Sequence, residues 1–365
     1  MLLIKTACCL ILASFFALTF PLANKSTSQL AWRAQSSGVL AKLNAVHFVE
    51  RNRGWVAGNN GTLLTTEDGG DKWRRVALPE YERREPVLDA WIFDAEHGCL
   101  LGEYDLFDRR REIEPNKRAF FLRSEDRGSN WKRNEFARLP IKPSSKKTAS
   151  DKEEPPDSYP DPVLLRMFFA NEQAGWACGE LGAIQATSDG GETWRVQFTG
   201  SLRLFYDVTA VDDKQAWIAG AGGVVLHTVD GGQNWNEQPS GVTAGLRAIH
   251  FVDASRGWAS GVNGTILSTT NGGGRWQKQN SGASATFNDI FFINVKEGWA
   301  SGDRGTLLHS DDGGTTWQDE SLNTHANLNR LFFIAPDRGW VVGSNGVIFS
   351  YGLNEPAGRP TLKQQ

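Results

Sequence analysis

Sulfur is scarce in this chain of 365 residues, which has four cysteines and two methionines. Two of the cysteines, Cys8 and Cys9, fall in an apolar N-terminal stretch, so Cys99 and Cys178 are all that remain for a folded domain. That excludes a disulfide-stapled framework. An excess of charge of either sign is also missing. The net charge is −3 and the isoelectric point is near 6.1. Neither nucleic acid nor an anionic membrane surface is therefore an expected partner. Six scattered histidines show no metal-ligand spacing, so no metal or cofactor is expected. Long apolar runs are absent except at residues 7–20, which are too few to cross a bilayer comfortably. With Lys5 before that run and Pro21-Leu22-Ala23 after it, residues 1–23 read as a secretory signal peptide, with an uncleaved anchor as the alternative. Cys8 and Cys9 precede most of the run, which is the wrong order for lipid attachment, and there is no twin-arginine. The expected product is exported to a periplasm, or to a thylakoid lumen if the source is photosynthetic.

Tryptophan and glycine are abundant instead, at 14 and 39. Trp194, Trp235, Trp276 and Trp317 recur every 41 residues, and Trp32 and Trp73 share that spacing. A second series, Trp217, Trp258, Trp299 and Trp340, follows the first at an offset of 23, as Trp55 follows Trp32. Cys99 stands where the second series calls for tryptophan, and Trp91 alone lies off the lattice. A period near 40 with strand and turn signals in each unit denotes a propeller or a solenoid. In residues 245–282 those signals are Leu246 to Val252, then Gly257-Trp258-Ala259-Ser260-Gly261, then Gly264 to Thr269, then Trp276. Four short strands make one propeller blade. The Gly-x-x-Gly links, such as Gly58-Asn59-Asn60-Gly61, suit hairpin loops that need positive φ.

Six outer turns fit Ser/Thr-x-Asp/Asn-x-Gly-x-x-Trp, centred on Asp68, Asp126, Asp189, Asp230, Asn271 and Asp312. This is the Asp-box, or BNR, pattern. One copy per blade in a hairpin predicts structural rather than catalytic carboxylates. The seventh unit ends after its third strand, and Trp32 stands 41 residues before Trp73. The expected fold is therefore all-β. It is a seven-bladed β-propeller of four-stranded antiparallel blades over residues 24–354, closed by the N-terminal strand, with residues 355–365 as a disordered tail. Cys99 and Cys178 fall on second strands of neighbouring blades and point the same way around the ring, so no bridge is expected.

Antiparallel blades impose sidedness. The loops between second and third strands share one face with the links between blades, and the Asp-box turns take the other. Both insertions fall on the first face. One, at about 103–119, carries Arg109, Arg110 and Arg111, and the other spans about 138–162. The starts of the inner strands on that face form a channel-mouth column of Ala45, Asp89, Arg166, Asp207, Ala248, Asp289 and Arg330. Tyr206 and Arg247 belong to the column before it. Asp89, Arg166, Tyr206, Asp207, Arg247, Asp289 and Arg330 are the candidate partner-binding residues, with Arg109, Arg110 and Arg111 beside them.

Residues 175–194 and 298–317 carry Gly-Trp-x-x-Gly-x-x-Gly-x-ψ-ψ-x-Thr/Ser-x-Asp-Gly-Gly-x-x-Trp, with ψ aliphatic in most places, and Gly339 to Tyr351 is a similar ending. Across about residues 30–353 the pattern resembles the photosystem II stability and assembly factors. The resemblance implies a non-enzymatic scaffold that binds a membrane-protein precursor, meets the membrane through that partner and works as a monomer. It also implies an arginine-rich surface, for which Arg166, Arg247 and Arg330 qualify by position. Two rival readings remain. One is an envelope scaffold unrelated to photosystems. The other is a glycoside hydrolase of the sialidase kind, for which Tyr206, the three arginines and Glu180 form a partial match.

Overall fold

The head of each second strand shows why this sequence makes blades. Gly257 lies beneath the ring of Phe251, and a Cβ built there would come within 2.5 Å of that ring. The next residue, Trp258, turns to the following blade and stacks on Phe292 with centroids 3.6 Å apart. A Gly-Trp pair therefore holds one phenylalanine of its own blade and one of the next. The same parallel stacking recurs as Trp217 on Phe251, Trp299 on Phe333 and Trp340 on Phe48. These ring contacts add to the area term of burial. Blade 4 tests the logic. Ala210 replaces the phenylalanine of its inner strand, and Ala216 replaces the glycine that such a ring would require.

The computed structural model describes residues 30–104, 117–138 and 161–353. The expected signal peptide and tail, residues 105–116 with Arg109, Arg110 and Arg111, and residues 139–160 lie outside the described residues. Seven four-stranded antiparallel sheets make seven blades. Blades 1 to 6 run in chain order over residues 43–75, 87–134, 164–197, 205–238, 246–279 and 287–319. Blade 7 takes three strands from residues 328–353, and Leu30–Gln35 supplies the fourth. Trp32 pairs with Tyr351 in that sheet, so the N-terminal strand closes the ring. Nearly every residue of the second strands, and most of the inner strands, is buried between neighbouring blades.

Both sides of the ring are tied by backbone hydrogen bonds. On one side the Asp-box turn of each blade meets the turn between its first two strands, as in Gly272 N–H to the Ser255 carbonyl at 2.8 Å. On the other, the loop between second and third strands reaches the link to the next blade in blades 1, 3, 5, 6 and 7, as in Gly264 N–H to the Ala285 carbonyl at 2.8 Å. That loop needs two consecutive left-handed residues, here Asn263 at φ 58° and Gly264 at φ 66°. A Cβ on Gly264 would also strike the Ala283 carbonyl at 1.9 Å.

The six boxes share one geometry. In blade 3, Thr187 Oγ1 donates to Asp189 Oδ1 at 2.7 Å and accepts from Gly191 N–H at 2.8 Å. Asp189 Oδ1 accepts the Thr193 N–H at 2.9 Å, and Oδ2 the Thr193 hydroxyl at 2.6 Å. Asn271 makes the corresponding contacts through its amide oxygen. Hydrogen bonds to the ionised form hold Asp230 at about 2, first from the Asn234 N–H and then from its side-chain amide. The boxes also join blades. The Gly272 carbonyl accepts the indole N–H of Trp217 at 3.0 Å and the amide of Gln238 at 2.8 Å, both from the preceding blade.

Cys99 occupies the tryptophan register, opposite Trp91 across the sheet. Cys99 and Cys178 are both free and buried, and burial raises both thiol pKa values.

Candidate functional site at the channel mouth

The inner strands begin at the face that carries the inter-blade links, and their first residues alternate in charge around the ring. Even-numbered blades supply Asp89, Asp207 and Asp289. Odd-numbered blades supply the cations Lys42, Arg166, Arg247 and Arg330. The alternation has a structural cause. Each aspartate turns to the next blade and accepts a backbone N–H there: Met167 at 3.0 Å, Ile249 at 2.9 Å and Leu331 at 2.7 Å. All three aspartates are only 3% exposed. Their carboxylates tie inner strands together and are not displayed at the mouth, where the sequence columns alone had placed them.

Arg330 sits among these carboxylates, with Nη1 3.4 Å from both Asp207 Oδ1 and Asp289 Oδ1. Burial opposes its charge, but Asp289, Asp207 and Asp89 outweigh that and raise its pKa. Burial lifts Asp289 to about 6 against the pull of Arg330, and it raises Asp207 as well. Arg166 is also engaged, since its Nη1 donates to the carbonyls of Asn44 at 3.2 Å and Leu88 at 3.0 Å. Asparagines at the inner-strand starts do similar work. Asn44 donates to Val87, Asn288 to Leu328 and Asn329 to Leu43, each across a blade boundary.

Above this bonded layer the mouth is cationic. Arg247 is exposed, with its guanidinium 5.6 Å from the centroid of the Tyr206 ring. Lys42 is exposed too, and its pKa is lowered by partial desolvation and then by the charges of Arg166 and Arg247. Lys42 lies two positions before Asn44 on the same lattice, beyond the columns compared in the sequence, and only its nearness to two arginines marks it out. A lysine set beside two arginine charges favours an anion among them.

The residues of the glycosidase match are not assembled. Glu180 Oε2 accepts from Arg118 at 2.8 Å and from the Val163 N–H at 3.2 Å. Tyr206 lies under Arg247, and no hydrogen bond joins it to Glu180 among the described residues. The three arginines have three different destinations, namely carbonyls, a tyrosine ring and buried carboxylates.

The fold and its boxes define an Asp-box seven-bladed propeller with a cationic channel mouth. Within that class the chain belongs to the photosynthesis system II assembly factor YCF48 family, whose profile matches residues 24–154, 157–242 and 279–352. Photosystem II assembly lipoprotein Ycf48 of Synechococcus sp. (strain CC9605) is 43% identical over 49 residues, 13% of this chain and 14% of that protein. The protein of the same name from strain CC9902 is 24% identical over 185 residues, 50% of this chain and 45% of that one. The matched stretch is thus less than half of either relative. A solved structure of YCF48 bound to D1 peptide superposes with a TM-score of 0.66 at 21% identity, covering 88% of this chain and 96% of that one. A xyloglucanase from Xanthomonas campestris (TM-score 0.62, 14% identity) and virginiamycin B lyase from Staphylococcus aureus (TM-score 0.67, 12% identity) share the fold as well, so the fold alone does not separate binding from catalysis.

Proposed function

We propose that this protein is a non-enzymatic, exported assembly scaffold that holds a polypeptide segment of a membrane-protein precursor at its channel mouth. The observation that carries this reading is the group Lys42, Arg166 and Arg247, whose mutual repulsion a carboxylate of the client would relieve. Arginine offers several directed donors to carboxylates and carbonyls. Tyr206, under the Arg247 guanidinium, gives the client a flat surface to lie on. The D1 peptide in the related structure supports a peptide ligand, and the lipoprotein names of the relatives support export. The apolar residues 7–20 agree with export.

Lys42→Glu combined with Arg247→Glu tests the site. Arg166 is left in place because it holds two backbone carbonyls of the ring. Binding of a synthetic peptide from the D1 protein, with a free terminal carboxylate, should weaken by about tenfold or more and lose most of its salt dependence. Circular dichroism should be unchanged. Equal binding by the folded variant and the parent would remove the mouth from the mechanism.

A further inference from the structure

Two residues further along each inner strand from the column of Asp89, Arg166, Asp207, Asp289 and Arg330, about 7 Å deeper toward the Asp-box face, the channel changes character. His47, Trp91, Phe168, His250, Phe291 and Phe332 occupy one register there and line a cavity of about 320 Å³. Their rings form a nearly continuous belt. His47 lies 4.5 Å from both Trp91 and Phe332 between centroids, Trp91 lies 4.8 Å from Phe168, and His250 lies 4.6 Å from Phe291. The seventh blade position is Thr209, which leaves a gap in the belt between Phe168 and His250. Thr209 is 2% exposed, lines the cavity, and its hydroxyl has no hydrogen-bond partner. A buried hydroxyl without a partner is costly unless something fills the role.

Two more polar atoms are poised here. His47 Nδ1 accepts the Ile92 N–H at 3.3 Å, so the proton of the neutral ring is on Nε2. The His250 Nε2 donates to the Phe292 carbonyl at 2.9 Å, so its Nδ1 is an acceptor. The belt therefore combines apolar walls with one donor, one acceptor and a hydroxyl, while Asp89, Asp207, Asp289 and Arg330 of the bonded layer line the same cavity toward the mouth. Convergent polar groups in a mostly apolar cavity of this size are the usual form of a small-molecule site.

We infer that the belt is a binding site for a small, uncharged, planar aromatic molecule, with its ring among the aromatic side chains and its polar edge at the Thr209 gap. An uncharged ligand is favoured over an organic cation because the carboxylates of the layer above are already engaged, each with a backbone N–H of the next blade and two of them with Arg330. The histidines give the same answer. Burial, and after it the charge of Arg330, lowers His47 to about 3, and burial lowers His250 to about 4, with Arg330 a smaller contribution. This site is separate from the client surface at the mouth and does not depend on it.

The test uses the full chain and ligand-observed NMR with three probes: indole, protonated tryptamine and indole-3-acetate. Indole should bind saturably, and the two charged probes at least about tenfold more weakly. Thr209→Phe closes the gap with a residue that blades 3, 6 and 7 already carry in this register, and it should abolish binding. Thr209→Val keeps the shape and should weaken indole about fivefold, the loss of one hydrogen bond. If Thr209→Phe does not fold, Phe168→Leu removes a belt ring without adding bulk and should weaken indole in its place. Absence of saturable indole binding, binding unchanged by these variants, or tryptamine binding as well as indole would each overturn the inference. Preference for N-acetyl-tryptophan amide over indole would also overturn it, by assigning the belt to a polypeptide side chain.

Discussion

The junction between blades 4 and 5 and the junction between blades 2 and 3 meet the same requirement with different residues. In the first, Trp217 stacks on Phe251 at 3.8 Å and gives its indole N–H to the Gly272 carbonyl of the next Asp-box. In the second, Cys99 replaces the tryptophan, and the volume is filled from other positions. Phe93 packs edge-on against Phe169 at 4.9 Å, Trp91 lies 6.1 Å from the same ring, and Phe136 joins Trp194 at 4.9 Å. Arg123 donates to the Gly190 carbonyl at 3.2 Å, the acceptor equivalent to Gly272, and Asn134 adds a bond to Gly191 at 2.8 Å. The repeat thus fixes what a junction must satisfy, a buried aromatic layer and a capped box carbonyl, but not which residue does it. This junction adjoins both insertions, so the most irregular part of the chain has also departed furthest from the consensus.

Truncating the tryptophan of the regular junction should have the largest effect. Trp217→Ala removes a fully buried indole, its stack and its hydrogen bond, and should cost about 3–5 kcal/mol by urea denaturation. A loss below about 1 kcal/mol would mean that this junction is as adaptable as its counterpart. Restoring the consensus residue at the irregular junction comes next. Cys99→Trp should destabilise by about 1–3 kcal/mol, because Phe93, Trp91 and Phe136 already occupy the space. A gain in stability would instead show that Cys99 leaves a void. The smallest effect belongs to the turn. Asp189→Ala should lower stability by about 1 kcal/mol through lost turn hydrogen bonds that are partly exposed to water, with peptide binding at the mouth unaltered. An unchanged melting temperature together with lost binding would contradict a structural role for the boxes.

Much of the architecture was legible in the sequence because its causes are local and repeated. A Gly-Trp pair, an Asp-box and a left-handed hairpin each recur at one spacing, so blade number, sidedness and the closing strand around Trp32 follow by counting. The candidate site was less legible. The columns gathered Asp89, Arg166, Asp207, Asp289 and Arg330, but register cannot tell a side chain that faces the lumen from one that turns to the neighbouring blade. Lys42 was missed because one lysine ahead of an apolar strand looks like any solvated residue. The aromatic belt was missed for a similar reason: His47 and His250 counted only among six scattered histidines, and Trp91 as the tryptophan that lies off the lattice.

What the sequence determined by itself is the ring, since periodic burial of tryptophan and phenylalanine between sheets has one closed solution at seven units. What only the tertiary structure decided is the use of the channel. Seven strands that are distant in the chain meet there, and charge neutralisation, desolvation and ring contacts arise between residues more than 40 positions apart. Those interactions bury three aspartates against backbone N–H groups of the next blade, leave Lys42 and Arg247 exposed at the mouth, and bring six aromatic side chains together around the unpartnered hydroxyl of Thr209.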